Sequence, residues 1–312
     1  MNYKEVKIVF MGTPEISAYL LEHLLMDGYQ IVAVIAQPDK PVGRKKIIQE
    51  VPTKVVAEKY NIPVYQPLKI RKDYEFLKNI DFDLIITLAY GQIVPQGLLD
   101  LARLGAVNFH GSLLPKYRGA APIQYSLINN EKVTGMTMME MVKEMDAGRM
   151  WAKKEISIEE SDNSTSLFKK MGVLAYELAK EYLPKYINGE LKGIPQDESN
   201  VTFAPTIKKE EEKLSLSLPI EKLIGFIRAL SDEPGGYLLF NNEKIKIFEA
   251  KKYSDEVIKP LGTILRMDKT GFLIQGKDGI ISILSLQREG KKRMFYKDFI
   301  NGNKELLGQV LK

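Results

Sequence analysis

Asn108, Phe109 and His110 put a carboxamide and an imidazole two residues apart, directly after the apolar run Leu104-Gly105-Ala106-Val107. In a strand, residues i and i+2 share a face, so Asn108 and His110 point one way and Phe109 the other. The carboxyl end of a strand in an open parallel sheet is where ligands bind. If imidazole chemistry happens in this chain, His110 is the candidate. Taken alone, the pair also fits an ordinary polar strand end. A carboxylate stands downstream in Met145-Asp146-Ala147-Gly148, although Asp-x-Gly is commonly turn chemistry. The chain has no cysteine, which excludes thiol nucleophiles, disulfides and thiolate metal sites. Its only other histidine, His23, lies in the helical pattern Ile16 to Met26 and reads as a surface residue. Two separated histidines make no metal cluster, so no metal is expected.

The elements that must position these groups alternate strand and helix. Val6 to Met11 predicts a buried strand, Glu15 to Met26 a helix ending near Gly28, and Ile31 to Ala36 a second strand. A long polar excursion over 37–46 precedes a helix beginning near Pro52. Further units are Pro63-Val64-Tyr65, a helix over 73–79, a strand over 83–90 and a helix over 96–103 leading into the Asn108 strand. The rhythm predicts an α/β architecture, a doubly wound, mostly parallel, Rossmann-like sheet. Gly12-Thr13-Pro14 has neither the dinucleotide nor the P-loop pattern, so nucleotide phosphate binding has no support. After a helix over 120–129 come strands over 135–142 and 150–158, with Asp146 in the connection between them, and a long amphipathic helix over 164–187. A polar, aperiodic stretch with two prolines follows. Beyond it, a helix over 219–230 and short strands over 236–240, 244–250, 261–267, 271–276 and 280–287 predict a small β-barrel, OB-like in its best-fitting version. The expected division is therefore 1–188, a linker over 189–206, and a second domain over 207–312.

Charge is unevenly spread. Residues 1–206 carry 25 basic and 25 acidic side chains, whereas 207–312 carry 20 basic against 15 acidic. A basic carboxyl-terminal part suggests a polyanionic partner, and scattered solubilising lysines would give the same count. The compact cluster there is Lys291-Lys292-Arg293. The amino terminus shows no signal-peptide character, and no apolar run approaches the roughly 18 residues of a membrane span. A cytoplasmic protein without membrane association is expected.

The chain resembles the methionyl-tRNA formyltransferases along essentially its whole length. The segments carrying the resemblance are Phe10-Met11-Gly12-Thr13-Pro14-Glu15, Gln37-Pro38-Asp39-Lys40-Pro41-Val42-Gly43-Arg44, Ala89-Tyr90-Gly91, and Asn108 to Gln124. Met145 to Gly148, Arg228 to Gly235, and Gln287 to Met294 extend it. The Asn-x-His and Ser-Leu-Leu-Pro core with its later Asp resembles every 10-formyltetrahydrofolate formyltransferase of this fold. The 37–44 loop is the more specific sign of a tRNA acceptor. One departure is Asp232-Glu233-Pro234, where a bulky residue often precedes the proline. The resemblance implies formyl transfer from 10-formyltetrahydrofolate to the α-amino group of initiator Met-tRNA. It makes Asn108, His110 and Asp146 catalytic, with Asp146 either orienting His110 or accepting the proton of the amine. Ser112, Leu113, Leu114 and Pro115 would border the folate, and Tyr90 and Gly91 would approach its pterin. Arg44, Lys45 and Lys46, with Lys291, Lys292 and Arg293, would contact tRNA, and a monomer is expected. The competing readings are a related enzyme using the same donor on a nucleotide sugar or purine precursor, and a catalytically silent RNA-binding protein.

Overall fold

The apolar run following Val6 forms β1 (Lys7–Gly12), buried along almost its whole length, as a central parallel strand covered on both faces must be. This is a computed structural model, and it describes residues 2–42 and 47–312. α1 (Glu15–Met26) buries Ile16, Leu20, Leu21 and Leu24 at helical spacing. β2 (Gln30–Ile35) follows, then two short strands, β3 (Lys40–Val42) and β4 (Ile47–Gln49). Next come α2 (Pro52–Lys59), β5 (Val64–Tyr65), β6 (Leu84–Leu88), α3 (Gln96–Leu99) and β7 (Ala106–His110). α4 (Pro122–Ile128), β8 (Val133–Glu140), β9 (Met150–Ser157) and α5 (Ser164–Ile187) continue the chain.

The first sheet has the order β5-β2-β1-β6-β7-β8-β9. Pairings from β5 through β7 are parallel, and β8 and β9 add an antiparallel edge. β2 and β5 lie on one side of β1 and β6 and β7 on the other, so the order reverses between β1 and β6. That reversal opens a crevice at the carboxyl ends of the strands. One face of this unit packs Val9, Met11, Ile35, Ile70, Leu77, Ile85 and Leu98 into a single core.

Three sequence expectations need correction. The polar excursion holds the antiparallel β3–β4 pair, with Lys40 opposite Gln49 and Pro41 opposite Ile48. The helix expected over 73–79 is a 3-10 segment, Glu75–Asn79, and the helix expected over 96–103 stops at Leu99.

The chain folds as two compact units. One comprises Met1–Pro122, Val133–Ser157 and Phe168–Pro205; the other comprises Ile123–Lys132, Ile158–Leu167 and Thr206–Lys312. The second unit adds α6 (Ile220–Leu230), β10 (Gly236–Phe240), β11 (Glu243–Ser254), β12 (Ile264–Asp268), β13 (Gly271–Gln275), β14 (Ile280–Arg288), β15 (Met294–Phe295) and α7 (Tyr296–Phe299). Its strands pair antiparallel in the order β10-β11-β14-β13-β12, with β15 on β14. Leu223, Ile227 and Leu230 of α6 join Ile245, Ile247, Phe272, Ile283 and Leu286 in its core. The antiparallel sheet is as expected, but no pairing among the described residues closes it into a barrel. No helix among the described residues is long and apolar enough to cross a membrane.

Candidate active site

The crevice begins with three strand ends tied together. Gly12 ends β1, and a Cβ there would lie 2.9 Å from the Leu88 carbonyl of β6, so only glycine lets the two ends approach. Thr13 Oγ1 donates to the Tyr90 carbonyl at 3.0 Å and accepts the Gln37 N–H at 3.2 Å. Gln37 Nε2 also donates to the Tyr90 carbonyl. The Tyr90 ring belongs to the core, and burial pushes its hydroxyl pKa up. Its backbone, with Gly91 in the left-handed region at φ 88°, is what the strand end presents.

β7 carries the central pair. Phe109 is buried, as its strand face requires, and Asn108 and His110 lie on the opposite face. Asn108 is half-buried. Its carboxamide makes no hydrogen bond among the described residues, so its N–H groups remain available. His110 is buried, and its Nε2 lies 2.8 Å from the Tyr117 carbonyl, which fixes the ring. Its Nδ1 faces Asp146 Oδ1 at 3.7 Å, beyond a direct hydrogen bond. Asp146 Oδ2 accepts the Gly119 N–H at 2.8 Å. Asn108, His110 and Asp146 are thus brought into one neighbourhood.

The Asp146 loop joins β8 to β9, and Asp146 itself has φ 52°. A Cβ on Gly148 would stand 2.0 Å from the Glu140 carbonyl. Glycine is therefore obligatory there, and Asp-x-Gly serves both the turn and the placing of the carboxylate.

Residues Ser112 to Pro115 are held from several sides. Ser112 Oγ donates to the Lys116 carbonyl at 2.6 Å. Thr137 Oγ1 donates to the Ser112 carbonyl at 2.6 Å and accepts the Leu114 N–H at 3.2 Å. Lys153 Nζ donates to the Leu114 carbonyl, and burial holds its ammonium pKa below the ordinary lysine range. Ser112 and Leu114 are buried, and Leu113 and Pro115 are half-buried. Sequence pattern does not single out Thr137 or Lys153 as site residues. Their signal is the antiparallel register that sets Thr137 opposite His110.

Next to Tyr90 and Gly91, a groove of about 480 Å³ is lined by Lys69, Arg71, Lys72, Gln92 and Ile93. Gln92 fixes its floor, accepting the Ile70 N–H at 2.8 Å and donating to the Pro67 carbonyl at 3.1 Å. Three exposed cations in such a groove suit a carboxylate-bearing ligand.

Of the residues expected to meet tRNA, Arg44, Lys45 and Lys46 lie outside the described residues. Lys291, Lys292 and Arg293 are all exposed, on the connection between β14 and β15. Arg293 is engaged within the protein: its Nε donates to Ser285 Oγ at 2.8 Å, it pairs with Asp232 at 2.5 Å, and it lies over the Phe248 ring. Phe295, 64% exposed, stands two residues further on. It is an aromatic platform beside cations that no sequence motif marks. Among the described residues no group of His, Asp or Glu has the arrangement of a metal site.

Residues 6–183 match the formyl transferase family and residues 206–304 match its carboxyl-terminal domain. A methionyl-tRNA formyltransferase of Lactobacillus acidophilus is 48% identical over 298 residues, covering 95% of each chain. That of Malacoplasma penetrans is 43% identical over 310 residues, covering 99% of this chain and 98% of its own. An N-formyltransferase from Helicobacter canadensis, solved with folinic acid and dTDP-3-aminofucose, is 20% identical. It superposes with a TM-score of 0.66, over 91% of this chain and 99% of its own.

Proposed function

Because the chain belongs to the methionyl-tRNA formyltransferase family, we propose that Asn108, His110 and Asp146 carry out that family's reaction here. The enzyme transfers a formyl group to the α-amino group of methionine esterified to initiator tRNA. 10-Formyltetrahydrofolate supplies the formyl carbon: the amine forms the new C–N bond and gives up a proton, the bond from that carbon to N10 breaks, and N10 takes up a proton as tetrahydrofolate leaves.

The residues fit this chemistry. Asn108 donates from its unengaged carboxamide to the formyl oxygen as that oxygen gains charge. Asp146 accepts the proton of the attacking amine, directly or through water, or holds the imidazole that does so. An α-amino group titrates near roughly 7.7–8.0, so a weak base suffices. His110, fixed by the Tyr117 carbonyl, lines the same space and presents its Nδ1 edge to Asp146. Ser112 to Pro115 border the folate, and the Tyr90-Gly91 backbone meets its pterin. The glutamyl carboxylate of the folate lies against Lys69, Arg71 and Lys72.

Arg44, Lys45 and Lys46 contact the tRNA, as do Lys291 and Lys292 on the loop that Arg293 anchors. The protein works as a cytoplasmic monomer. Residues 1–188 make up the catalytic domain and 207–312 the tRNA-binding one. The observation that carries this reading is the meeting of Asn108, His110 and Asp146 at the carboxyl end of β7.

The test is formyl transfer from 10-formyltetrahydrofolate with Met-tRNA, free methionine and a nucleotide sugar as competing acceptors. Product on Met-tRNA alone is expected. Preferential formylation of the nucleotide sugar would move the enzyme to another branch of the family, and no transfer to any acceptor would leave an RNA-binding protein.

A further inference from the structure

We propose that Gln196 is a positioning residue of this site, holding Asp146 in the one backbone conformation that turns its carboxylate to His110 and Gly119. Residue 196 falls between the two matched family segments, which end at 183 and resume at 206. By sequence pattern the surrounding stretch is only a linker.

Gln196 Nε2 donates to the Asp146 carbonyl at 2.7 Å and to the Gly148 carbonyl at 2.8 Å. Both amide hydrogens of one side chain therefore bracket the turn that presents Asp146. That turn needs holding, because Asp146 sits at φ 52°, a region that L residues other than Asn, Asp and His seldom enter.

Gln196 is itself fixed. Its Oε1 accepts Arg118 Nε at 3.0 Å. Arg118 is buried, and its other nitrogens grip Glu198 at 2.7 and 3.3 Å. The backbone of Arg118 accepts the Ala204 N–H and donates to the Thr202 carbonyl, which joins residues 196–204 to the segment leaving β7. The next residue, Gly119, gives its N–H to Asp146 Oδ2. The circuit closes: Arg118 to Gln196, Gln196 to the Asp146 backbone, Asp146 side chain to Gly119, and Gly119 back to Arg118 through one peptide bond. The carboxylate is held by its backbone and by its own oxygen at once.

This inference rests on the catalytic reading of Asp146, and the test separates the two. Gln196→Glu keeps the length of the side chain but aims an acceptor at two carbonyls. Gln196→Ala removes the bracket altogether. Both are expected to lower kcat about 10²-fold, the loss typical of a misplaced catalytic group, with KM for folate and Met-tRNA changed less than about twofold. In an Asp146→Asn background the same substitutions should cost nothing further in kcat, because they act through the group already removed. Circular dichroism and thermal melting identify whichever of the two variants is folded. Near-normal kcat in a folded Gln196 variant, or kcat reductions that multiply with Asp146→Asn, would overturn the role of Gln196 while leaving Asp146 catalytic. Full activity of Asp146→Asn alone would overturn both.

Discussion

Asn108 and Asp146 are the residues on which the chemistry can be tested most directly. Asn108→Ala is predicted to lower turnover by about 10²–10³, the usual loss for one oxyanion donor, with little change in substrate binding. Its motive is a carboxamide without partners on the face that β7 shares with His110. Near-normal turnover by single-turnover kinetics would remove Asn108 from the chemistry. Asp146→Asn retains an oxygen for the Gly119 N–H and tolerates positive φ, so the loop should persist. A general base is worth about 10²–10⁴, and turnover should fall by that much with an unchanged dichroism spectrum. The Asn-x-His pair is legible in the sequence because period-2 geometry in a strand is a local rule. Gln196, Thr137 and Lys153 are not, because each acts on a partner 23 or more residues away in sequence. Nothing in a lone polar residue tells which carbonyl it will meet.

Elements show the same division between local pattern and distant closure. β1, β2, β6 and β7 announce themselves as apolar runs, whereas β3 and β4 do not. Ile47 and Ile48 of β4 are exposed, so their pairing leaves no burial pattern in the sequence. What anchors that hairpin is Asp39, which accepts from Lys54 Nζ at 2.7 Å, Gln66 Nε2 at 2.8 Å and the Val51 N–H at 3.1 Å. Hydrogen bonding from Lys54 first, and from Gln66 and Val51 as well, holds the Asp39 carboxyl below its ordinary 3.8. A lowered carboxyl pKa means the unfolded chain binds more protons between the two values, so stability rises with pH there. The contribution of Asp39 is complete above 3.8 and disappears as pH falls through the lowered value. Asp39→Asn should therefore melt below the parent at about pH 7, with the gap closing in strong acid. A gap independent of pH would show that the charge of Asp39 is irrelevant to it. The groove beside Gly91 gives a second expectation at this scale. Replacing Lys69 and Arg71 by Ala should raise KM for the folate about fivefold for each exposed cation removed, at about 1 kcal/mol apiece. The rise should be larger for a polyglutamylated folate than for the monoglutamate, and kcat should be unchanged. Equal KM for both donors in the parent and the variant would exclude the groove as the seat of the glutamyl tail.

At the scale of the whole molecule, the excess of positive charge lies in residues 207–312, with 20 basic against 15 acidic side chains. Some of these basic side chains are engaged inside their own unit. Arg288 is paired with Glu243 and Glu305, Lys252 with Asp255, and Arg293 with Asp232. Each of these pairs takes up acidic side chains as well, so pairing leaves the positive excess in place and decides only which cations are free to meet a polyanion. Lys291 and Lys292 are exposed, and no ion pair of either is found among the described residues. The Lys291 carbonyl accepts Gln287 Nε2 at 2.6 Å, which steadies the loop while leaving its cations outward. Removing one lysine that neutralises a phosphate should lower the slope of log affinity against log salt by about 1. Lys291→Ala with Lys292→Ala is thus predicted to flatten the salt dependence of Met-tRNA binding by about 2, leaving folate KM unchanged. Neutralising Lys45 and Lys46 should flatten it by a similar amount. Arg44→Leu should instead depress formylation of initiator Met-tRNA beyond any change in salt slope, since arginine can also make bidentate contacts to a base edge. If both clusters grip the same tRNA at separate phosphates, the slope reductions from the two pairs of lysines add. Binding titrations of the parent, each pair and the combined variant across a salt series decide it. A combined variant no flatter than either pair would mean that the two clusters do not act on one tRNA together.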